Sequence, residues 1–291
     1  MQQKKLNLTA KDGASINTIV FYSTNKPKGI LIVCHGFGEH IKSYLEFSKY
    51  LTDGGYLCVI YDQRGHGEMC DISMDDRAKQ FGIIPNYECF LDDIDVIKNA
   101  VISLYPEIPL ILYGHSMGGN IAVNYLLTKG QSGFACAILE TPWLRLFKPV
   151  AAPVVVLAKF LGRWNPKWAI INRLNLDDLS RDKKRNAEIE NDELYHNRIS
   201  FRMFSGINDA GEYAIKNAAN LSIPCLLICA EEDKIVCPKA IKEFKDKTDS
   251  NVILKSYDGA YHSVHNDIIK ETYFKDIIEF LDSICFAPKL H

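Results

Sequence analysis

A serine between two glycines has surroundings that suggest chemistry. Residues 114–118 read Gly-His-Ser-Met-Gly, with an apolar run before them and a helix-like run at residues 120–127 after them. This order predicts a strand, a tight turn and a helix, with Ser116 on the turn. Such a turn strains the backbone and leaves no room for neighbouring Cβ atoms, which explains the flanking glycines. The pattern is typical of a nucleophilic serine that attacks a carbonyl carbon.

The general base that Ser116 needs is predicted to be a histidine, because a serine hydroxyl is a weak nucleophile at neutral pH. In this arrangement an acid and then the histidine follow the serine, each on a loop after a strand. His262 lies in the loop after a strand-like run, whereas His196 lies in an irregular region and His291 is the last residue. We therefore predict His262 as the base, with His265 as the weaker alternative.

The carboxylate that orients the histidine should follow the apolar run at residues 225–229. Composition leaves three acids open at this point, namely Glu231, Glu232 and Asp233. Asp233 is favoured because the residues after it lead directly into the next helix. Asp258 follows a different strand and is too close to His262 in the sequence.

The oxyanion of a tetrahedral intermediate needs two N–H donors. One is expected from the amide of Met117, which directly follows the nucleophile. The other is expected from Phe37, in the loop after the strand-like run that ends at Cys34. Each such donor lowers the barrier by about 3 kcal/mol. His35 shapes the same loop and is expected to be a buried, hydrogen-bonded residue.

The composition fits a globular enzyme and argues against other classes. The chain has 291 residues, of which 47% are hydrophobic and 24% are charged, and its net charge is −2. Nucleic-acid-binding proteins carry a basic face, so we expect no such partner. The first residues show no apolar leader, and the nine cysteines form no C-x-x-C pair. We therefore expect a cytoplasmic protein without disulfides or a metal site.

Strand-like and helix-like runs alternate over most of the chain. Residues 6–22 predict an antiparallel hairpin, and the alternation that follows predicts an α/β protein with a mostly parallel sheet and helices on both faces. Residues 141–211 break this rhythm and hold all three tryptophans. We interpret them as a cap inserted into a core formed by residues 1–140 and 212–291.

Five segments together resemble the α/β-hydrolases of the monoacylglycerol lipase and lysophospholipase family, which is serine aminopeptidase S33-like. They are residues 35–40 (His-Gly-Phe-Gly-Glu-His), 62–67 (Asp-Gln-Arg-Gly-His-Gly), 114–119 (Gly-His-Ser-Met-Gly-Gly), 233–238 (Asp-Lys-Ile-Val-Cys-Pro) and 259–262 (Gly-Ala-Tyr-His). The resemblance implies an α/β-hydrolase fold with an eight-stranded sheet and an inserted cap. It also implies hydrolysis of carboxylic esters of monoacyl lipids, with no cofactor.

The resemblance further assigns residues to the alcohol end of the substrate. In monoacylglycerol lipases the glutamate of the first segment and the histidine three residues after the catalytic one help to receive glycerol. They correspond here to Glu39 and His265. The arginine that usually follows the first segment is absent, since residues 41–44 read Ile-Lys-Ser-Tyr, and Glu193 replaces the proline of an Asn-Asp-Pro-Leu segment. Monoacylglycerol and lysophospholipid both remain candidate substrates.

An apolar run at residues 150–158 is expected to act in the cap. We predict that it forms a helix over Ser116 and an acyl tunnel, with these residues in the wall: Val154, Val155, Leu157 and Leu161. The run is too short to span a bilayer, but basic residues flank it. Peripheral contact with a membrane or micelle is therefore expected in addition.

The sequence thus predicts a serine hydrolase that cleaves ester bonds of monoacyl lipids through an acyl-enzyme. Two other enzymes remain open, an esterase for small soluble esters and a peptidase that resembles prolyl iminopeptidases. A hydrolase-fold binding protein without activity is a further alternative. The complete set of Ser116, Asp233 and His262 argues against it, because a binding protein has no need of all three groups.

Overall fold

The computed structural model describes residues 1–24, 26–69, 79–172 and 174–285. The strands in these ranges are β1 (Gln2–Thr9), β2 (Ser15–Tyr22), β3 (Ile30–Cys34), β4 (Leu57–Tyr61), β5 (Leu110–His115), β6 (Phe134–Glu140), β7 (Ala169–Ile171), β8 (Arg198–Ser200), β9 (Cys225–Ala230) and β10 (Val252–Tyr257). Eight of them form one sheet in the order β1-β2-β4-β3-β5-β6-β9-β10. β2 pairs antiparallel with β1 and β4, and the other pairs are parallel. The predicted eight-stranded, mostly parallel sheet is confirmed.

Six of the eight α-helices in the described ranges cover the two faces of this sheet. They are α1 (Leu45–Asp53), α2 (Glu88–Leu104), α3 (Met117–Thr128), α4 (Ala152–Trp164), α5 (Lys183–Glu190), α6 (Phe201–Lys216), α7 (Pro238–Asp246) and α8 (Lys270–Cys285). Apolar side chains of α1 and α8 pack in the core on one face, and those of α2, α3, α6 and α7 pack on the other. The α/β-hydrolase fold expected from the sequence is therefore confirmed.

The central strands bring the loops of the site to one edge of the sheet. Every residue of β3, β4 and β5 is buried, as expected for strands covered on both faces. Cys34 pairs with Gly114, and His115 pairs with Glu140. Because these strands are parallel, the loops that follow Cys34, His115 and Glu140 lie side by side.

The region expected to form the cap contains α4, the strand β7, α5 and the strand β8, which pairs antiparallel with β7. The chain then enters α6 directly, and Met203, Ile207 and Ala214 of that helix pack in the main core. The expected boundary at residue 211 lies inside this continuous helix. The sequence did not predict β7 and β8, because each strand has only three residues.

Helix α4 packs closely on α6 near its C-terminal end. A Cβ on Gly162 would lie 2.7 Å from the backbone nitrogen of Arg202, so a larger residue would force the helices apart. The Arg202 guanidinium donates hydrogen bonds to the carbonyls of Gly162 (2.9 Å) and Arg163 (3.4 Å). At the other end, α4 has no side-chain cap and residues 147–154 are exposed. Within the described part of the chain, no helix has the length and apolar character needed to cross a bilayer.

Candidate active site

Ser116 lies on the predicted turn between β5 and α3. Its backbone φ is 52°, in the left-handed region that L-residues rarely adopt. A Cβ on Gly114 would lie 2.3 Å from the Gly118 carbonyl oxygen, and a Cβ on Gly118 would lie 2.0 Å from the Cys34 carbonyl oxygen. The glycines are therefore required by backbone contacts both within the turn and with the end of β3.

The structure brings together the three side chains predicted to form a triad. The Nε2 atom of His262 lies 2.8 Å from Ser116 Oγ, and its Nδ1 atom lies 2.7 Å from Asp233 Oδ2. All three residues are buried. When Nδ1–H donates to the carboxylate, Nε2 is left to accept the serine proton, which is the tautomer that nucleophilic catalysis requires.

The Asp233 carboxylate is held on its other side by backbone groups. Its Oδ1 accepts hydrogen bonds from the amides of Ile235 (2.8 Å) and Val236 (2.9 Å). The neighbouring Glu231 instead forms an ion pair with Lys242 near the surface. Of the three acids that follow β9, only Asp233 is therefore directed to His262 by the turn.

The two residues predicted for the oxyanion hole lie at neighbouring strand ends. Met117 is the first residue of α3, and Phe37 lines the cavity beside Ser116. His35 supports the Phe37 loop, because its Nε2 accepts from the Gln63 amide (2.9 Å) and its Nδ1 donates to the Gly36 carbonyl (2.7 Å). His35 is thus buried and hydrogen-bonded, as the sequence predicted.

A second support of this loop comes from the cap. The amide of His196 donates to the carbonyl of Gly38, at 3.2 Å. The His66 ring lies between the rings of His35 and His196, with centroids 5.3 and 4.6 Å away. Burial lowers the pKa of all three histidines, that of His66 well below its usual value and that of His196 to about 3. The three rings are therefore neutral at neutral pH.

Glu39 lies next to Ser116 as a buried carboxylate. It lines the same cavity, and its Oε2 accepts hydrogen bonds from the Gly36 amide (2.6 Å) and the Tyr44 hydroxyl (2.7 Å). Burial raises the pKa of Glu39, but the His115 and His265 rings, with these hydrogen bonds, hold it well below its usual range. The group is therefore an ionised hydrogen-bond acceptor at neutral pH.

His265 lies behind Glu39 and is held by a second buried acid. Its Nε2 is 4.0 Å from Glu39 Oε1, while its Nδ1 donates to Glu140 Oε1 at 2.9 Å. Glu140 also accepts hydrogen bonds from the Tyr113 and Tyr273 hydroxyls. Although burial raises the pKa of Glu140, the His265 ring is the main factor that lowers it to about 2. His265 lies behind Glu39 and is not among the residues that line the cavity beside Ser116, so its part in receiving glycerol stays a prediction.

Three buried groups of this network could hold a metal ion. Glu39, His115 and His265 each place a ligand atom within 4.8 Å of the others. Tyr44 and Glu140 contact one atom of each of these groups, whereas the buried Nε2 of His115 has no hydrogen-bond partner among the described residues. The absence of a metal site therefore stays a prediction from the sequence.

Two cavities meet at Trp143 and Leu146. The narrow one, of about 30 Å³, contains Ser116 and His262, and the second, of about 170 Å³, extends beneath α4. The wall of the second cavity is almost entirely apolar, and its cap residues include Val150, Val154 and Ala158. Val154 and Ala158 lie four residues apart and therefore share one face of α4, whereas Val150 precedes the helix.

The other cap residues predicted for the tunnel wall lie elsewhere on α4. Leu157 is absent from the walls of both cavities and is 54% exposed, so it does not fit the predicted tunnel wall. Val155 and Leu161 are half-buried and are likewise absent from the walls of the two cavities. The apolar run has no polar interruptions that would show which side faces inward, and this is why the sequence did not separate the two faces.

Comparisons with known proteins identify the family of this chain. A model of the serine aminopeptidase S33 family matches residues 25–269. The chain is 30% identical over 282 residues to the monoglyceride lipase of Saccharomyces cerevisiae, with 89% of this chain and 86% of the yeast protein covered. It is 32% identical over 277 residues to an uncharacterized abhydrolase domain-containing protein of Dictyostelium discoideum, of whose length it spans 28%.

The fold agrees with that of a solved lipase structure. A soluble variant of the S. cerevisiae monoglyceride lipase, in complex with a substrate analogue, superposes with a TM-score of 0.84 at 25% identity. The match covers 97% of this chain and 96% of that one. The chain therefore belongs to the serine aminopeptidase S33 family and is similar to its monoglyceride lipases.

Proposed function

We propose that this carboxylic ester hydrolase cleaves the ester bond of monoacyl lipids through a covalent acyl-enzyme on Ser116. The observation that carries the proposal is the position of the serine between two chemically different surroundings. An apolar cavity extends from it beneath α4, and the ionised Glu39 lies on the same cavity wall as the serine. A substrate with one acyl chain and a hydroxyl-bearing alcohol part matches this arrangement.

The triad geometry supports a two-step reaction. The Ser116 oxygen attacks the ester carbon while His262 Nε2 takes its proton, and Asp233 stabilises the resulting imidazolium. The amides of Phe37 and Met117 hold the oxyanion. His262 then returns the proton to the leaving alcohol, and water enters by the same route to release the fatty acid.

The two ends of the substrate are assigned by polarity. The acyl chain extends past Trp143 and Leu146 to Val154 and Ala158, where its methylenes leave water. The hydroxyl groups of the alcohol part donate hydrogen bonds to Glu39, since an ionised carboxylate is an acceptor only. His265 and Glu140 keep that carboxylate in place from behind.

The outer face of α4 supports contact with a lipid surface. Val156, Leu157, Phe160 and Trp164 are 65%, 54%, 60% and 74% exposed, respectively. Exposed apolar groups of this size on one helix are unusual for a surface that meets only water. We propose that this face, which we call the outer face of α4, docks on a membrane or micelle from which the substrate enters.

The cysteines support a reducing compartment. Those in the described ranges are free, and the buried ones all lie in the strands of the main sheet, among them Cys34, Cys58, Cys136 and Cys225. Burial raises the pKa of each of these thiols, which keeps them protonated and unreactive. We therefore propose a cytoplasmic location, which localisation of a fluorescent fusion would test.

One substrate panel tests the proposed function. Initial rates are measured on monoacylglycerol, lysophosphatidylcholine, soluble p-nitrophenyl esters of increasing chain length, and an amino-terminal proline peptide. We expect the monoacyl lipids and the longer esters to be the better substrates. Preference for the acetyl ester would favour a small-ester esterase, and cleavage of the peptide alone would favour a peptidase.

A further inference from the structure

The backbone around His262 is held from outside its own loop. The carbonyl of His262 accepts a hydrogen bond from Thr141 Oγ1 at 2.9 Å. The next amide, that of Ser263, donates to the carbonyl of Leu179 at 2.8 Å. Three residues further on, the Asn266 carbonyl accepts from Ser180 Oγ at 2.8 Å. The cap segment at residues 179–185 therefore contacts the loop of the general base directly.

An ion pair joins the same two segments. The Arg181 side chain contacts both oxygens of Asp267, with Nη2 at 2.5 Å and Nε at 3.0 Å from Oδ1, and its backbone amide donates to Oδ2 at 3.0 Å. The Asp267 side chain is fully buried, whereas that of Arg181 is 27% exposed. A buried carboxylate is costly without such a partner, so loss of the guanidinium would leave it uncompensated.

The cap segment at residues 179–185 is itself rigidly held. The Asn186 amide group donates to the Ser180 carbonyl (2.8 Å), and the Asp182 side chain accepts from the Arg185 amide at the start of α5 (3.1 Å). Arg185 in turn donates to Asn266 Oδ1 at 3.1 Å. A rigid segment that binds the loop on both sides of Val264 limits the positions that the His262 ring can take.

We infer that Arg181 is a positioning residue for the general base, and that residues 179–185 of the cap belong to the catalytic framework. The inference rests on the proposed function, since it assigns a role in the same reaction. Arg181 acts through Asp267 and the loop backbone and does not contact the reacting atoms. Its role is to maintain the 2.8 Å contact between His262 Nε2 and Ser116 Oγ.

The test compares Arg181→Ala with a matched arginine variant. Arg145 also forms ion pairs with carboxylates, those of Glu212 in α6 and Glu243 in α7, neither of which belongs to the His262 loop. We expect Arg181→Ala to lower kcat by roughly 100-fold, since a misplacement of about 1 Å has that effect, with little change in KM. Arg145→Ala should keep kcat within about twofold, although both variants lose stability. Added guanidinium ion should restore part of the kcat of Arg181→Ala only.

Arg181→Lys keeps the proposal testable if the alanine variant does not fold. It retains the charge but only one of the two side-chain contacts, so we expect an intermediate kcat with a near-native melting temperature. A wild-type kcat in folded Arg181→Lys and Arg181→Ala, or equal losses in the Arg145 and Arg181 variants, would overturn the inference. Wild-type protein is assayed first on a soluble ester and labelled with a fluorophosphonate. Absence of both signals in the wild-type protein would refute the proposed function and not the role of Arg181.

Discussion

Asp233 accepts the Nδ1–H of His262 with one carboxylate oxygen and two backbone amides with the other. The first contact selects the tautomer of the imidazole, and the second pair fixes the plane of the carboxylate. These hydrogen bonds fix the position of the Asp233 carboxylate, although the sequence offers three consecutive acids at this point.

Asp233→Asn should lower kcat by about 10⁴-fold, because the amide stabilises the wrong tautomer of the histidine. Glu231→Gln and Glu232→Gln are the matched controls, and both should stay close to wild-type rates. The measurement is steady-state hydrolysis of a soluble ester by folded variants. Loss of activity in Glu232→Gln with full activity in Asp233→Asn would contradict the assignment of the acid.

Ser116→Ala should abolish fluorophosphonate labelling and lower kcat roughly 10⁴- to 10⁶-fold, since the nucleophile is removed. The melting temperature should change little, because alanine fits wherever serine does. A folded variant that keeps more than a tenth of the wild-type kcat would show that another residue is the nucleophile.

Ala158→Phe should shorten the acyl chain that the enzyme accepts. Ala158 lines the apolar cavity beneath α4, and a phenyl ring there would fill the space of several methylenes. Each methylene that no longer fits should lose up to about 0.8 kcal/mol in kcat/KM, while acetyl and butyryl esters should be unaffected. Ala152→Phe, on the exposed start of the same helix, is the control and should leave the chain-length profile unchanged. Equal profiles for both variants would place the acyl chain elsewhere.

Val156→Asp and Phe160→Asp should weaken binding to lipid vesicles. Both side chains belong to the outer face of α4, so a charge there opposes insertion into the interface. We expect the vesicle affinity to fall at least roughly tenfold, or by about 1.4 kcal/mol, with soluble-ester hydrolysis retained. Co-sedimentation and Trp164 fluorescence report the binding. Leu104→Asp, at the exposed end of α2, is the control, and an equal effect there would argue against a specific docking face.

The stability of the protein should fall as the pH is lowered from 6.5 to about 4.5. His35, His66 and His196 have pKa values below the value of 6.5 that they have in the unfolded chain. In this window the unfolded state therefore binds more protons than the folded state, and each histidine contributes up to about 1.4 kcal/mol per pH unit. Above pH 6.5 their contribution is constant.

Urea unfolding between pH 4.5 and 8 measures this slope. His196→Gln should reduce this slope by the contribution of about one proton. Glutamine is the chosen replacement because its amide can still donate a hydrogen bond to the Gly65 carbonyl that His196 contacts. Glu39 and Glu140 act in a lower range, because their lowered pKa values remove stability only below about 4.5. An unchanged slope in His196→Gln would mean that this ring is already protonated in the folded protein.

The sequence predicted the parts of the site that local spacing determines. Ser116, Asp233 and His262 each follow a strand-like run, so the alternation of elements placed them at one sheet edge. Glu140 was not predicted, although the strand ending there was, because no local pattern distinguishes a buried acid from a surface one. Arg181 was missed for a similar reason, since it lies in a polar stretch that is typical of a solvated loop.

The contact between Gly162 and Arg202 determines how α4 can move. That contact ties the C-terminal end of the helix to α6, which is part of the core, whereas the N-terminal end has exposed residues before it and no cap. Any displacement of α4 should therefore be a swing about its C-terminal end, with the widest gap opening near Val150. If the outer face of α4 docks on lipid as proposed, Phe160 and Trp164, which lie close to the fixed end, would stay in the lipid surface while the gap opens near Val150.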